Sequence, residues 1–187
     1  MCPLFSTMAK TIKITSLTLF LIFISLLIPN FFFENDVLLS ITITVGVFTY
    51  HFVMRLSVGY LINSTLKNKV NYNKWWFREK SFEQTLYNTL RVKKWKKHMP
   101  TYSPDTFDVN KHSLEEIVSA TCQSEIVHEI IFVLSFLPIL LAIPFGTLGV
   151  FIATSVIAAL IDCIFIIMQR FNRPRLLKII ARKHKTH

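Results

Sequence analysis

The chain has 187 residues, 52% of them hydrophobic and 17% charged, with only 4 glycines, a mixture that excludes a disordered polymer and a collagen-like repeat. Its 21 Lys and Arg outnumber 11 Asp and Glu, for a formal charge of +10, which suits anionic lipid or nucleic acid equally until its arrangement is read. Three cysteines, Cys2, Cys122 and Cys163, are odd in number and far apart, so they support neither a disulfide framework nor a zinc site and are read as free thiols.

The apolar residues are pooled into runs. Four of them, at about 12–29, 37–62, 126–143 and 147–168, are each about as long as the 17–25 residues a helix needs to cross a bilayer. Lys10 and Lys13 precede the first run and no small-residue cleavage site follows it, so it reads as an uncleaved anchor, with Met8 as an alternative start. The connection at 30–36 carries Glu34 and Asp36 but no basic residue, and the one around Pro144-Phe145-Gly146 carries no charge. By contrast, eleven Lys and Arg lie between the second and third runs and seven follow the fourth. The positive-inside rule therefore places both termini and the long loop in the cytoplasm of a multi-pass cell-membrane protein. Backbone in lipid must be satisfied within each helix. The predicted fold is thus all-α: a single polytopic membrane domain over 1–187 with four transmembrane helices, a cytoplasmic interfacial loop at 63–125 and a basic cytoplasmic tail at 169–187.

The loop is not a plain linker. Trp75, Trp76, Phe77, Phe82, Tyr87 and Trp95 alternate with Lys and Arg, and Phe82, Leu86 and Leu90 recur at helical spacing, which predicts an interfacial amphipathic basic helix lying in the headgroup layer. Membrane lipids are accordingly expected partners. Nucleic acid is not, because the positive charge follows one membrane face and is interleaved with interfacial tryptophans. Ser113-Leu114-Glu115-Glu116 has capping-box spacing, so a helix starting there should run unbroken into the third span, with a kink at Pro138. The short connection at 144–146 should make the last two spans an antiparallel hairpin. Asn63-Ser64-Thr65 fits a glycosylation sequon, but the predicted topology puts it on the cytoplasmic side.

Ionisable side chains inside spans cost several kcal/mol unless they find partners or water, roughly 2.5–3.5 on insertion scales, and are default functional candidates. At 1.5 Å per residue, Arg55 and Asp162 each lie about 10 Å from the cytoplasmic end of their spans, and His51 about 16 Å. Equal depth and opposite charge predict that Arg55 pairs with Asp162; the plain alternative is an Arg55 that snorkels to phosphate beside a protonated Asp162. His51 shares the Arg55 face at i, i+4 spacing and reads equally as packing or catalysis. Ser155, Asp162 and Gln169 form a polar stripe at intervals of seven, and Glu125, His128 and Glu129 share one face where the third span begins. His128 is a candidate general base tuned by Glu125 or Glu129, against the reading of an interfacial histidine that merely bonds a neighbouring carboxylate. His184 and His187 lie in the polar tail and do not make a metal site, and no metal or bound cofactor is expected.

The string Met168-Gln169-Arg170-Phe171-Asn172-Arg173-Pro174-Arg175-Leu176 resembles the Q-R-[YF]-N-R-P-R-L ending of the glycosyl-4,4'-diaponeurosporenoate acyltransferase family, bacterial membrane proteins named for the last step of staphyloxanthin synthesis. Arg91-Val92-Lys93-Lys94-Trp95-Lys96 with Pro100 resembles its basic R-K-W-K segment, and Ser124-Glu125-Ile126-Val127-His128 its A-E-x-x-H; Glu129 stands where the family has Trp. The resemblance implies transfer of a fatty acyl group from an acyl-CoA or acyl-carrier-protein donor to a hydroxyl of a lipid-linked sugar, such as a glycosyl carotenoid. Arg170, Arg173, Arg175 and the cluster from Arg91 through Lys93, Lys94, Trp95 and Lys97 would hold the donor's phosphates. His128 would take the proton from the sugar hydroxyl, with Arg170 or Asn172 stabilising the oxyanion. No HxxxD or G-x-S-x-G motif supports an acyl-serine route. The competing reading is a non-enzymatic scaffold that binds anionic lipid in a biosynthetic complex.

Overall fold

The computed structural model describes residues 5–146 and 148–185; Cys2 and His187 lie outside the described residues. Among these the secondary structure is entirely helical: α1 (Phe5–Phe32), α2 (Asp36–Leu66), α3 (Glu83–Thr89), α4 (Val92–Trp95), α5 (Leu114–Leu134), α6 (Ala142–Phe145) and α7 (Leu148–Lys183), joined by loops and 3₁₀ turns. Four stretches, Met8–Phe32, Asp36–Leu66, Leu114–Phe145 and Leu148–Lys183, are long and apolar enough to cross a membrane. Their outward faces expose large apolar side chains such as Ile14, Phe31, Leu61, Val133 and Leu160, the belt a lipid-facing bundle presents.

The helix ends follow local chemistry. Asn35 caps α2, its side chain accepting from the amides of Val37 (2.9 Å) and Leu38 (3.0 Å). Ser113 and Glu116 make the anticipated reciprocal capping box at the start of α5. The predicted unbroken third span stops at Leu134, where Pro138 turns the chain into a 3₁₀ segment over Leu137–Leu141. Pro138 has no N–H for the Leu134 carbonyl, and Tyr50 of α2 donates its hydroxyl to that carbonyl instead, at 2.9 Å. The helix break thereby becomes a tie between helices.

Two expectations are corrected. The interfacial segment is not one amphipathic helix: it is a 3₁₀ turn at Trp75–Phe77 followed by the short α3 and α4, with Arg91 between them in the left-handed region at φ 51. Phe82 and Leu90 point outward, while Glu83 and Tyr87 are the buried face of α3. The segment docks because Tyr87 and Val92 pack against Phe171 of α7. The basic tail is likewise not a separate tail from 169, since α7 continues through Pro174 to Lys183 as a helix of 36 residues, about 54 Å long.

Packing is uneven. Helices α5 and α7 form the central pair, α2 lies against both, and α1 leans on α2. Met54, Val58 and Ile131 form the buried seam between α2 and α5. After α2, Ser119 and Gln123 of α5 strap down the chain: Asn68 N–H donates to Gln123 Oε1 (2.6 Å) and Val70 N–H to Ser119 Oγ (2.7 Å). On the other side, α1 approaches α2 at Gly46, where a Cβ would stand 2.8 Å from the Phe23 ring. A Gly46→Val change must therefore displace Phe23 at a cost of about 1–3 kcal/mol. Thermal unfolding of the purified variant in detergent should occur at a lower Tm; an unchanged Tm would show that α1 does not dock through this contact.

Candidate active site

Three groups of side chains sit at successive levels along α7. The deepest is built on Asp162, which is 1% exposed. Arg55 of α2 donates to its Oδ2 at 2.5 Å, and the Nδ1 of His128 on α5 lies 2.9 Å from its Oδ1. The anticipated Arg55–Asp162 pair is thus present, and three helices meet at one carboxylate. Because a carboxylate only accepts, the Nδ1 of His128 donates to Asp162, and Nε2 is left on the other side of the ring. The ring stacks on Phe165 at 4.7 Å with an interplanar angle of 9°, which fixes its plane.

This arrangement corrects the expected tuning of His128 by Glu125 or Glu129. Glu129 instead accepts from the Trp76 indole N–H at 3.0 and 3.1 Å, and Glu125 is fully buried between two arginines. Spacing along one helix makes neighbours, yet here the packing of α7 on α5 supplies a closer carboxylate. His51 is buried with both ring nitrogens lacking a hydrogen-bond partner among the described residues, as is the hydroxyl of Ser155. Its backbone carbonyl accepts from Arg55 Nη1 at 3.2 Å, so it contributes to the cluster through the main chain. Gln169, the last member of the polar stripe, is buried and donates to Ser124 Oγ at 3.2 Å.

The second group is an arginine clamp. Arg170 donates Nε and Nη2 to Glu83 Oε1 (2.8 and 2.6 Å), Nη1 to Glu125 Oε1 (2.5 Å) and the Trp76 carbonyl (3.2 Å), and Nη2 to the Arg78 carbonyl (3.1 Å). All five of its N–H donors are occupied, so it has none for an oxyanion or a phosphate. Arg173 is 1% exposed; it bonds Glu125 Oε2, Thr121 Oγ1 and the Phe77 carbonyl and lies over the Phe77 ring. Glu125, Arg170 and Arg173, expected at the substrate or in catalysis, bond one another, Glu83 and the carbonyls of Trp76, Phe77 and Arg78, and so lock the 75–95 segment onto α5 and α7. Glu83 was not anticipated, although an acid four residues before Tyr87 in a basic loop was the available signal. The Tyr87 hydroxyl donates to Glu83 Oε2 at 2.8 Å, and burial, reinforced by that bond, raises the phenol's pKa.

The third group lines an open cleft of about 440 Å³ between α5, α7 and the residues after α4. Asn172 and Arg175 face it, together with Lys96 and Lys97. Lys96 Nζ donates to Asn172 Oδ1 at 2.6 Å, so the amide oxygen is engaged by a lysine. Arg91, Lys93 and Lys94 are exposed and lie outside the cleft lining, and Trp95 turns its indole N–H to the Leu90 carbonyl at 2.9 Å.

The clamp carries a clear expectation. Glu83→Ala leaves a partly buried guanidinium with three of its donors' partners but no balancing second carboxylate, which should destabilise the fold by about 3–5 kcal/mol. Arg170→Lys should fare little better, since an ammonium has three donors and no fork. Thermal unfolding of both variants in detergent checks this; native-like stability of Glu83→Ala would remove the clamp from the fold.

The family model for glycosyl-4,4'-diaponeurosporenoate acyltransferase matches residues 73–182, a span that runs from the start of the docked segment to the end of α7 and covers more than half of the chain. No curated protein and no solved structure matches the chain. The matched span carries His128, Asp162, the whole clamp and the basic cleft, so the chain belongs to the glycosyl-4,4'-diaponeurosporenoate acyltransferase family.

Proposed function

We propose that the protein moves a fatty acyl group from a carrier on the cytoplasmic side of the cell membrane to a hydroxyl of a glycosylated lipid, such as a glycosyl carotenoid. The observation that carries this reading is the Asp162–His128 contact, in which Nδ1 is taken by a buried carboxylate and Nε2 has no partner among the described residues, in a family of acyltransferases. In the reaction the acceptor hydroxyl gives its proton to Nε2 as its oxygen attacks the acyl carbonyl carbon, and Asp162 stabilises the imidazolium that forms. Collapse of the tetrahedral intermediate breaks the bond to the carrier, and the imidazolium returns the proton to the departing group.

Arg55 takes the oxyanion-stabilising role first assigned to Arg170 or Asn172. Its side chain is 23% exposed. Three of its five N–H donors reach the His51 carbonyl, the Ala158 carbonyl and Asp162, which leaves two for a developing negative charge. The hydroxyls of the acceptor's sugar are fitting partners for the unpartnered His51 ring and Ser155 hydroxyl farther into the membrane, since buried polar groups require hydrogen bonds. The positive-inside rule supports a cytoplasmic basic face with both termini on that side.

Two experiments bear on this. His128→Ala, assayed for acylated glycolipid in membranes, should lose about 10²–10⁴-fold in transfer rate while retaining membrane expression; full retention of transfer would rule out His128 as the base and end this mechanism. The charge swap Arg55→Asp with Asp162→Arg should recover the stability that either single alanine variant loses. It should not recover transfer, because the carboxylate then no longer sits on His128 Nδ1. Recovery of both would mean that Asp162 serves the fold alone.

A further inference from the structure

Arg55 is a cation on an apolar, lipid-facing edge. It lies about 10 Å inside its span, yet its side chain is 23% exposed. Phe48, Phe52, Arg55 and Gly59 recur at the spacing of one face of α2. Phe48 is 47% exposed, and a Cβ on Gly59 would meet nothing within 4 Å. On α7 the guanidinium lands at the Ala158 carbonyl and at Asp162; Ile161, between those two contacts in sequence, is 46% exposed. The trio of Arg55, Asp162 and His128 therefore has an open apolar edge where α2 meets α7. In a bundle that spans a bilayer, what lies along such an edge is the chain of a lipid-borne molecule.

The unspent hydrogen-bonding groups of the trio define the head of that molecule. Arg55 has two N–H donors without a partner among the described residues, and His128 Nε2 has no partner there either. With Nδ1 donating to Asp162, a neutral imidazole offers Nε2 as an acceptor. A carboxylic acid, which donates once and accepts once, completes both: its O–H faces Nε2 and its C=O faces Arg55. Charge points the same way. Arg55 and Asp162 cancel, so an anion alone would leave net charge in a low-dielectric interior, whereas an acid that brings its own proton leaves the site neutral. A phosphodiester headgroup brings no such proton, and an alcohol sets no charge against the guanidinium. The titratable and charged groups around His128 are Asp162 on α7, Arg55 and His51 on α2, and Glu125 and Glu129 on its own helix. Glu125 is held by Arg170 and Arg173 and Glu129 by Trp76, so Nε2 is the group placed to take the proton.

We propose that this edge binds a free long-chain carboxylic acid as an inhibitor, its tail along Phe48, Phe52 and Gly59 and its head between Arg55 and His128. On binding, the acid's O–H bond breaks and the proton passes to Nε2, which leaves a carboxylate against Arg55 and an imidazolium against Asp162; no other bond forms or breaks. Nε2 then has no lone pair for an acceptor hydroxyl, so the free acid turns transfer off. That consequence deepens the acyl-transfer reading and rests on it; the acid site itself does not.

The test uses the full chain in phosphatidylcholine nanodiscs, without turnover. Carboxyl-labelled palmitic acid is titrated in and its NMR shift read as the bound fraction, while the ring-nitrogen shifts of His128, assigned against His128→Gln, report the protonation of the imidazole. Binding should saturate, and the His128 ring should become imidazolium as the site fills. His128→Gln should weaken binding by about tenfold or more, because the charged hydrogen bond is lost. Gly59→Leu, which fills the groove from outside the trio, should weaken palmitic acid by about tenfold by displacing part of the tail. It should leave the Tm no lower, since the space there is open and Leu is the better helix former. Partition into the bilayer without saturation, equally tight binding of hexadecanol, a His128 ring that stays neutral in the complex, or binding indifferent to Gly59→Leu overturns the proposal. Transfer undiminished by saturating palmitic acid overturns the inhibition and leaves the acyl-transfer reading standing. Proton-coupled acid binding by a protein that transfers no acyl group supports the site and sinks that reading instead.

Discussion

A carboxylate that is 1% exposed among apolar helices has no water to solvate it, so the protein must supply every partner it needs. Asp162 organises the bundle for that reason. Its two oxygens draw Arg55 from α2 and His128 from α5 to one level of α7, and the small residues around it, Ser155, Ala158 and Ala159, are buried on the same stripe, which lets the neighbouring helices come close. The Arg55 fork also reaches the Ala158 carbonyl at 3.1 Å, so one side chain satisfies the carboxylate and a helix carbonyl together. Removing either charged partner strands the other, whereas the assembled trio is close to neutral inside the bundle.

The Q-R-F-N-R-P-R string works by periodicity. At 100° per residue, Gln169, Arg170 and Arg173 turn toward α5 and the docked segment, while Asn172 and Arg175 turn to the cleft. One short sequence thus does two jobs: a buried face that locks the fold and an open face with uncompensated charge. Pro174 is tolerated inside α7 although it removes the bond to the Arg170 carbonyl. The arginine clamp around that turn holds it from three sides, through Glu83, Glu125 and the carbonyls of Trp76 and Arg78.

What was legible in the sequence was whatever depends on length, depth and spacing along a helix. The four spans, the capping box at Ser113 and the Arg55–Asp162 pair follow from run length, cap chemistry and depth arithmetic. What was not legible depends on rotation between helices. Glu125 and Glu129 are nearer to His128 in sequence, but the azimuth of α5 gives Glu125 to two arginines and Glu129 to Trp76, leaving His128 to a carboxylate 34 residues away. Arginine-rich motifs mislead in the same way: the resemblance implies one role for Arg170, Arg173 and Arg175, yet Arg170 and Arg173 are tied to buried carboxylates while Arg175 stays exposed. The reading of 75–95 as one helix failed because the chain breaks at Arg91 in the left-handed region, while Phe82 and Leu90 face outward as an interfacial segment's would and Glu83, invisible to hydropathy, faces in.

The matched span begins at residue 73 and so leaves α1 and α2 outside it, yet α2 contributes the guanidinium that balances Asp162. The span by itself would hold a histidine on a buried carboxylate with no countercharge on the carboxylate's other oxygen, an arrangement costly in a low-dielectric interior. Helix α2 therefore completes the cluster electrostatically. It also closes the break at Pro138 through Tyr50 and anchors its own C-terminal strap on Ser119 and Gln123. Among the described residues helix α1, by contrast, leans on α2, by Asn30 to Thr42, the Leu19 carbonyl to Thr49 and Phe23 against Gly46. The physical unit around Asp162 is thus α2, α5 and α7 with the segment clamped beneath them, and its boundary is drawn by charge compensation more than by sequence similarity.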